Sequence, residues 1–425
     1  MKTSSFNHTF RAFSNRNYAL FFSGQSVSQI GTWMQRTGVN WLVYSITHSP
    51  FMLGLSVFAS QFPSFLLSLP GGIISDRCDR YKILLVTQTA SMLQAILLAA
   101  LVLTGHHTIF AILALSVVLG IINAFDVPAR QPLVHQLVNN KDDLPNALAL
   151  NSAMVNLARL LGPALSGLVL QHLGAGVCFL INACSFMAVI CSLLLMKLPP
   201  YQEPITKKKA TNQLAEGFQY VRNTPSIGII LLILALTALL VLPYDTLIPV
   251  FARTVFNGNA ATYGYISSFM GLGAISATLM LASLRKGADL KFVFLFCSII
   301  LGIGLLLFSH TVVFPLAMLF AVFCGFGAMA QNTICITLVQ VEAAAHMRGR
   351  MMSYVALAYF GMLPLGSLLI GTVSEKIGAP DALLCQGIAA LIIVTVFSRF
   401  FTRDRKRKHN SQQLETAEEM SIENV

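Results

Sequence analysis

The chain is expected to fold as an all-α polytopic membrane protein, with twelve transmembrane helices set in two pseudo-symmetric six-helix bundles. Three observations lead there. Charged residues make up 11% of the 425 residues, far below the roughly 25% usual in soluble domains. Hydrophobic residues make up 55%, mean hydropathy is +0.70, and the apolar residues gather in runs long enough to cross a bilayer. The basic residues lie between those runs, and predominantly on one side. A net charge of +11 in that arrangement meets lipid headgroups, so membrane lipids are expected partners and nucleic acid is not.

Taken in order, Phe6, Phe10 and Phe13 recur at helical spacing beside Arg11 and Arg16, which predicts a short interfacial helix ahead of the first span. Residues 1–17 lack a secretory hydrophobic region with a small-residue cleavage site, so the first span is expected to persist in the mature protein. Spans follow near 17–46, 50–75, 82–104, 108–134, 145–172, 176–197, 226–251, 261–284, 290–309, 313–340, 350–375 and 380–402. Several exceed the length of about 20 residues that a crossing needs, so tilt is expected. With the N-terminus inside, 23 of the 28 Lys and Arg fall in cytoplasmic segments and only Arg253 and Lys376 lie on the far side. Arg36, Arg130 and Arg159 remain within spans. Both termini are therefore expected in the cytoplasm, with the chain in the cytoplasmic (inner) membrane.

The longest polar stretch divides the chain. Residues 1–197 are expected to form the N-terminal bundle, 198–225 a cytoplasmic linker, 226–402 the C-terminal bundle, and 403–425 a cytoplasmic tail. The linker carries Pro199-Pro200 and Lys207-Lys208-Lys209, then Leu214, Phe218 and Val221 at the spacing of an amphipathic surface helix. The tail opens with a basic cluster, Arg403 to Lys408, suited to anionic headgroups. The halves also repeat: Leu161-Gly162-Pro163-Ala164-Leu165-Ser166-Gly167 lies on Leu365-Gly366-Ser367-Leu368-Leu369-Ile370-Gly371 at an offset of 204, so the fifth span matches the eleventh. Repeated halves around a midplane cavity describe a secondary transporter acting on a small-molecule substrate.

Other classes find little support. The eight cysteines show no CxxC pair or His/Cys cluster, so neither zinc nor a disulfide framework is expected. No GxxxxGK[ST] phosphate loop is present, nor a nucleophile–base constellation, so neither cofactor nor enzymatic chemistry is expected.

The residues between the second and third spans narrow the class. Gly72-x-x-x-Asp76-Arg77-x-x-Arg80, with twelve spans and a central loop, resembles the major facilitator superfamily over essentially the whole chain. Gly31-Thr32-Trp33-Met34-Gln35, Trp41-Leu42-Val43-Tyr44, Asp126-Val127-Pro128-Ala129-Arg130-Gln131 and Arg348-Gly349-Arg350-Met351 resemble its enterobactin-exporter-like and drug:proton antiporter-like branch. Asp79 stands where the family's loop usually has glycine, and Tyr81 where it has a basic residue. The resemblance implies alternating access without ATP in a monomer, driven by an ion or substrate gradient, with export of a siderophore or lipophilic drug in exchange for protons expected. The alternatives are an importer or facilitator of a small metabolite or siderophore on the same scaffold and, outside transport, a membrane sensor, for which the sequence offers no large partner domain.

The resemblance also implies that Asp76 latches the inner gate against the start of the eleventh span, where Arg348 and Arg350 lie, with Gly72, Arg77 and Arg80 supporting it; otherwise this is a solvated loop that follows the topology rules. Asp126 and Arg130, four residues apart around Pro128, share a helix face; they are either a structural or gating pair or a proton-coupling site. Asp245, between Pro243 and Pro249 on a loosened seventh span, is the other coupling candidate. Arg36, with Asn40 four residues on, either binds an anionic substrate or snorkels to headgroups. Trp41, Tyr244, Gln331 and Asn332 complete the candidate substrate site, and Phe58, Phe62, Phe269, Tyr354 and Tyr359 are further pocket aromatics. Arg159, just before Gly162-Pro163, lies where the family bends its fifth helix.

Overall fold

The computed structural model describes residues 10–138, 141–197, 210–285 and 287–400. Among these, helices dominate and no strand occurs. The crossings are α1 (Arg16–Thr47), α2 (Pro50–Leu66, continued by Ser68–Arg77), α3 (Arg80–Leu103), α4 (Ile109–Leu137), α5 (Leu144–His172) and α6 (Gly174–Leu195). A linker helix, Ala210–Asn223, follows. The second set is α7 (Pro225–Val255), α8 (Ala260–Ala282), α9 (Leu290–Ser309), α10 (Phe314–Glu342), α11 (Arg348–Ile377) and α12 (Ala379–Phe400).

Polar residues set the helix ends. Ser49 accepts from the Met52 N–H at the start of α2, Asp79 from Tyr81 on α3, Thr108 from Ala111 on α4, and Asn259 closes a capping box on α8. Ten of the described helices are long and apolar enough to cross a membrane, and α2, bent by 48° at its break, makes an eleventh. The twelfth is α1. At 32 residues it is long enough, but Gln25, Gln35, Arg36 and Asn40 dilute its apolar character. That dilution is structural. Gln35 donates to Gln94 Oε1 at 2.9 Å and accepts from Asn182 Nδ2 at 2.8 Å, so a buried chain of amides ties α1, α3 and α6 together.

The interfacial helix expected at the start is a single 3₁₀ turn, Arg11–Ser14. It is docked on the first bundle, where Arg11 Nε lies 2.7 Å from Asp143. Phe6, the Lys207–Lys209 run and the tail from Arg403 fall outside the described residues.

The two bundles meet along α2 with α11 and α5 with α8. Glycines let these backbones approach. A Cβ on Gly54 of α2 would strike the Ser367 carbonyl of α11, and one on Gly371 would sit 2.6 Å from the Pro50 carbonyl. Gly264 of α8 faces the Pro163 carbonyl in the same way, and Gly167 faces Ala260. Pro163 and Gly167 correspond to Ser367 and Gly371 at the repeat's offset of 204, so equivalent residues hold equivalent seams.

These seams occupy one side of the membrane region, the side opposite the charged α2–α3 connection. Following the charge count, it is called outer below. On the inner side the bundles part. Past its bend, the Ser68–Arg77 segment of α2 packs on α4, with Gly71 against Ala124 and Ser75 Oγ donating to the Pro128 carbonyl at 2.9 Å. The bundles are thus joined on the side called outer, while at the other side the last segment of α2 rests on its own bundle.

Candidate functional site

Where the seams end, a cavity of about 130 Å³ lies between the bundles. It is lined from α1 by Trp33, Arg36, Thr37 and Asn40, which fall at i, i+3, i+4 and i+7 on one helical face. From α5 come Arg159 and Pro163. The other bundle contributes Tyr244 and Asp245 of α7, Tyr263 of α8, Asn332 of α10 and Tyr359 of α11, among others.

The chemistry is concentrated in four side chains. Arg36 Nη2 lies 3.3 Å from Asp245 Oδ2, an ion pair that joins the two bundles inside the cavity. The two residues stand 209 positions apart, on the first span of each set of six. Trp33 has the Arg36 guanidinium 5.1 Å from its ring centroid and that of Arg159 at 5.3 Å. Each is within cation–π range. The cavity therefore holds two guanidiniums against one carboxylate and has a positive surplus.

Asp245 owes its position to a broken helix. After Leu240, α7 passes through a 3₁₀ stretch, Leu242–Leu247, then one α turn, Ile248–Val250, and a π turn, Phe251–Val255. Pro243 and Pro249 withdraw two backbone donors from this run, and the freed geometry carries Tyr244 and Asp245 to the cavity.

Other candidates lie elsewhere. Asp126 is buried within the first bundle, not in the cavity: it accepts from Thr87 Oγ1 at 2.9 Å and Gln88 Nε2 at 2.7 Å, and lies 3.4 Å from Arg130 Nε. Arg130 reaches on toward Gln25 of α1 at 3.5 Å. These side chains clamp α1, α3 and α4 together, because the pair is enclosed by amides and not by the space between bundles. Trp41 is stacked on Tyr263, centroids 6.3 Å apart, and does not line the cavity. Gln331 is buried in the second bundle's core, one residue out of register with Asn332, which does face the cavity. Of the further aromatics, Tyr359 lines the cavity, Phe58 and Phe62 stack on each other at 4.5 Å, Phe269 packs in the core, and Tyr354 meets Gly217 of the linker helix.

The gate residues are apart in this conformation. Asp76 is 77% exposed and lies 3.5 Å from Arg80, four residues on in the same connection, not near Arg348 or Arg350. Arg350 Nη1 instead lies 2.5 Å from Glu216 of the linker helix, and Arg348 Nε donates to the Ala343 carbonyl at 3.3 Å. A Cβ on Gly72 would meet open space, so the glycine with a packing reason here is Gly71. Arg77 ends α2 and is exposed. Trp33 and Tyr263 were not among the site candidates drawn from the sequence, although the spacing of Trp33, Arg36 and Asn40 carried the signal. The sequence marks Arg159 only by its place on a bent helix.

Comparison with known proteins agrees with this architecture. A family model described as a transmembrane secretion effector matches residues 7–424. The chain is 29% identical to the "Staphyloferrin A transporter" of Staphylococcus aureus over 91% of its own length and 97% of that protein. It is 24% identical to the "Enterobactin exporter EntS" of Shigella boydii over 84% and 87%, and 21% identical to the "Multidrug efflux pump Tap" of Mycolicibacterium fortuitum over 84% and 89%. Among solved structures, a point mutant of the nucleoside transporter NupG superposes with a TM-score of 0.74 at 12% identity, covering 90% of this chain and 99% of that one. A POT family transporter superposes with a TM-score of 0.72 at 14% identity, covering 91% and 96%.

Proposed function

The chain belongs to the transmembrane secretion effector family of the major facilitator superfamily, a family of multi-pass membrane transporters rather than enzymes, and from that premise we propose that it exports a small amphipathic anion by proton antiport. Both termini would lie in the cytoplasm, following the charge count. The observation that carries this reading is the Arg36–Asp245 pair, one member from each bundle, inside the central cavity.

The magnitudes favour exchange. With side chains 40% and 47% exposed, the pair is screened by water and worth at most about 1 kcal/mol in this open state. An incoming carboxylate or phenolate can therefore draw Arg36 from Asp245 and engage Arg159 as well, while an apolar or aromatic portion rests on Trp33, Tyr244, Tyr263 and Tyr359. While the anion is held, the two guanidiniums balance its charge and that of Asp245 without a proton; once it has left outward, a proton from outside neutralises Asp245 for the return of the empty cavity and is released inside when Arg36 pairs with Asp245 again. Substrate leaving outward and proton entering inward then alternate at one pair of charges. Siderophores suit this cavity through their acidic metal-binding groups, and the names of the siderophore-handling relatives support that choice over a lipophilic cation.

Asp245→Asn tests it. In proteoliposomes with an imposed proton gradient, the variant is expected to lose at least about ten-fold of proton-driven anion transport, while exchange of anion for anion across the same vesicles persists. Equal proton-driven rates in both proteins would remove Asp245 from coupling. Uptake of the anion down its own gradient, indifferent to the proton gradient, would make the protein a facilitator or importer.

A further inference from the structure

Glu375 sits in the last turn of α11, where a carboxylate opposes the negative end of its own helix. Its partner is on the other bundle. Glu375 Oε2 accepts from the Ser49 hydroxyl at 2.9 Å and from the Phe51 N–H at 3.1 Å, at the first turn of α2. Ser49 is itself the N-cap of α2, accepting from Met52 at 3.2 Å, and Pro50 follows it at the first helical position. The carboxylate that α11 disfavours thus serves as an anionic cap for α2, whose unpaired N–H groups attract it.

This contact spans the closed outer seam. Beside it, Gly371 faces Pro50 and Gly54 faces Ser367, so separation of α2 from α11 on the outer side must break both hydrogen bonds to Glu375. The inner end of the same antiparallel pair is its mirror, and it is undone. Asp76 stands in the last turn of α2, exposed, and the N-cap position of α11, Met347, offers no side-chain cap.

We propose that Glu375 is the latch of the outer gate: a carboxylate from one bundle that caps α2 of the other, formed when the outside is closed and released whenever it opens. The idea rests on alternating access, as the proposed function does, but not on substrate or proton coupling. Because the carboxylate is exposed, water takes over its bonds on release, so the latch biases the two states without locking one.

Spin–spin distance measurement across the outer face tests it. Labels on Thr104→Cys and Val312→Cys, exposed positions at the outer ends of the two bundles, would be read in the full chain with Cys78, Cys184, Cys191 and Cys385 replaced by serine. The parent protein is expected to give a major short and a minor long distance; a single distance under all conditions would count against alternating access itself, separately from the latch. Glu375→Ala is expected to raise the long-to-short ratio roughly three- to ten-fold, the scale of a single net hydrogen bond, because water replaces the exposed carboxylate's bonds on release. Glu375→Gln, whose amide oxygen can still accept both bonds, should restore at least half of that change. Ser49→Ala should shift the ratio less, and should add nothing to Glu375→Ala. A ratio unchanged in Glu375→Ala, a Gln variant as open as Ala, or additive Ser49 and Glu375 effects would each overturn the assignment.

Discussion

Asp126 and Asp245, each close to a proline within a span, look alike in the sequence and have different partners in the structure. Asp126 has two side-chain donors and Arg130, all inside one bundle, so its charge is compensated in every state that keeps that bundle whole. Asp245 has Arg36 of the other bundle, and any rocking of the halves alters that distance. Replacement of Asp126 by Asn is therefore expected to act on stability, lowering it by about 2 kcal/mol, within the range of about 1.5–3 kcal/mol for a hydrogen bond to a charged group. Thermal unfolding in detergent, read beside transport per folded molecule, checks this: a drop in Tm with transport per molecule retained is the expected outcome, and loss of proton coupling at unchanged Tm would refute it. The Asp126–Arg130 pairing was legible in the i, i+4 spacing, but Thr87 and Gln88, 39 and 38 residues away, were not.

At the scale of elements, the seams of small residues decide which side is shut. The repeat of 204 residues was readable as a run of Leu, Gly and small residues, and the structure turns it into two matching contacts, α5 on α8 and α11 on α2. What the run did not reveal is that only the outer halves of these helices meet. Gly371→Val places methyl groups against the Pro50 carbonyl, and overpacking of this kind costs about 1–3 kcal/mol. Since the outer side alone carries that cost, outward opening should become roughly five- to one hundred and fifty-fold more populated. A cysteine at Ser267, on the cavity wall, reports it: faster modification by an impermeant thiol reagent from outside is expected, and an unchanged rate would show that the seam does not set the equilibrium. The interruption of α7 belongs to this scale too. Pro243 and Pro249 announced it, because a proline pair removes two donors wherever the helix lies, yet the 3₁₀ and π turns that result depend on the neighbours that accept them.

For the whole molecule, the linker helix is docked on the second bundle. Sequence periodicity predicted an amphipathic helix with Leu214, Phe218 and Val221 on its apolar face; Phe218 is 63% exposed, as a membrane-facing side chain would be, while Gly217, Tyr220 and Glu216 meet the second bundle. The Tyr220 hydroxyl accepts from the Ala344 N–H at 3.1 Å, and Glu216 holds Arg350. In this conformation Arg350 is thereby engaged by the linker helix and not by the α2–α3 connection. Reversing the pair, Arg350→Glu with Glu216→Arg, should restore linker docking lost in either single variant, by about 0.5–1 kcal/mol given its exposure. Hydrogen exchange over the linker helix measures it, with faster exchange in each single variant and recovery in the double one; failure to recover would mean that Arg350 is held by something other than charge.

Membrane residence, the twelve crossings, the duplicated halves and the expected orientation came from the sequence alone, because hydropathy and charge add up along the chain without reference to how helices are rotated. The cavity did not. In a helix surrounded by lipid and other helices, polar residues do not mark a water-facing side, so the sequence could not tell that Trp33 and Arg159 converge with Arg36 on one space while Gln331 turns from it. Nor could it tell that Asp76 stands clear of the opposite bundle while Glu375 engages it. Those facts depend on the rotation of each helix about its axis and on the tilt of one bundle against the other, and both are settled by packing between residues far apart in the chain, 209 positions for Arg36 and Asp245 and 326 for Ser49 and Glu375.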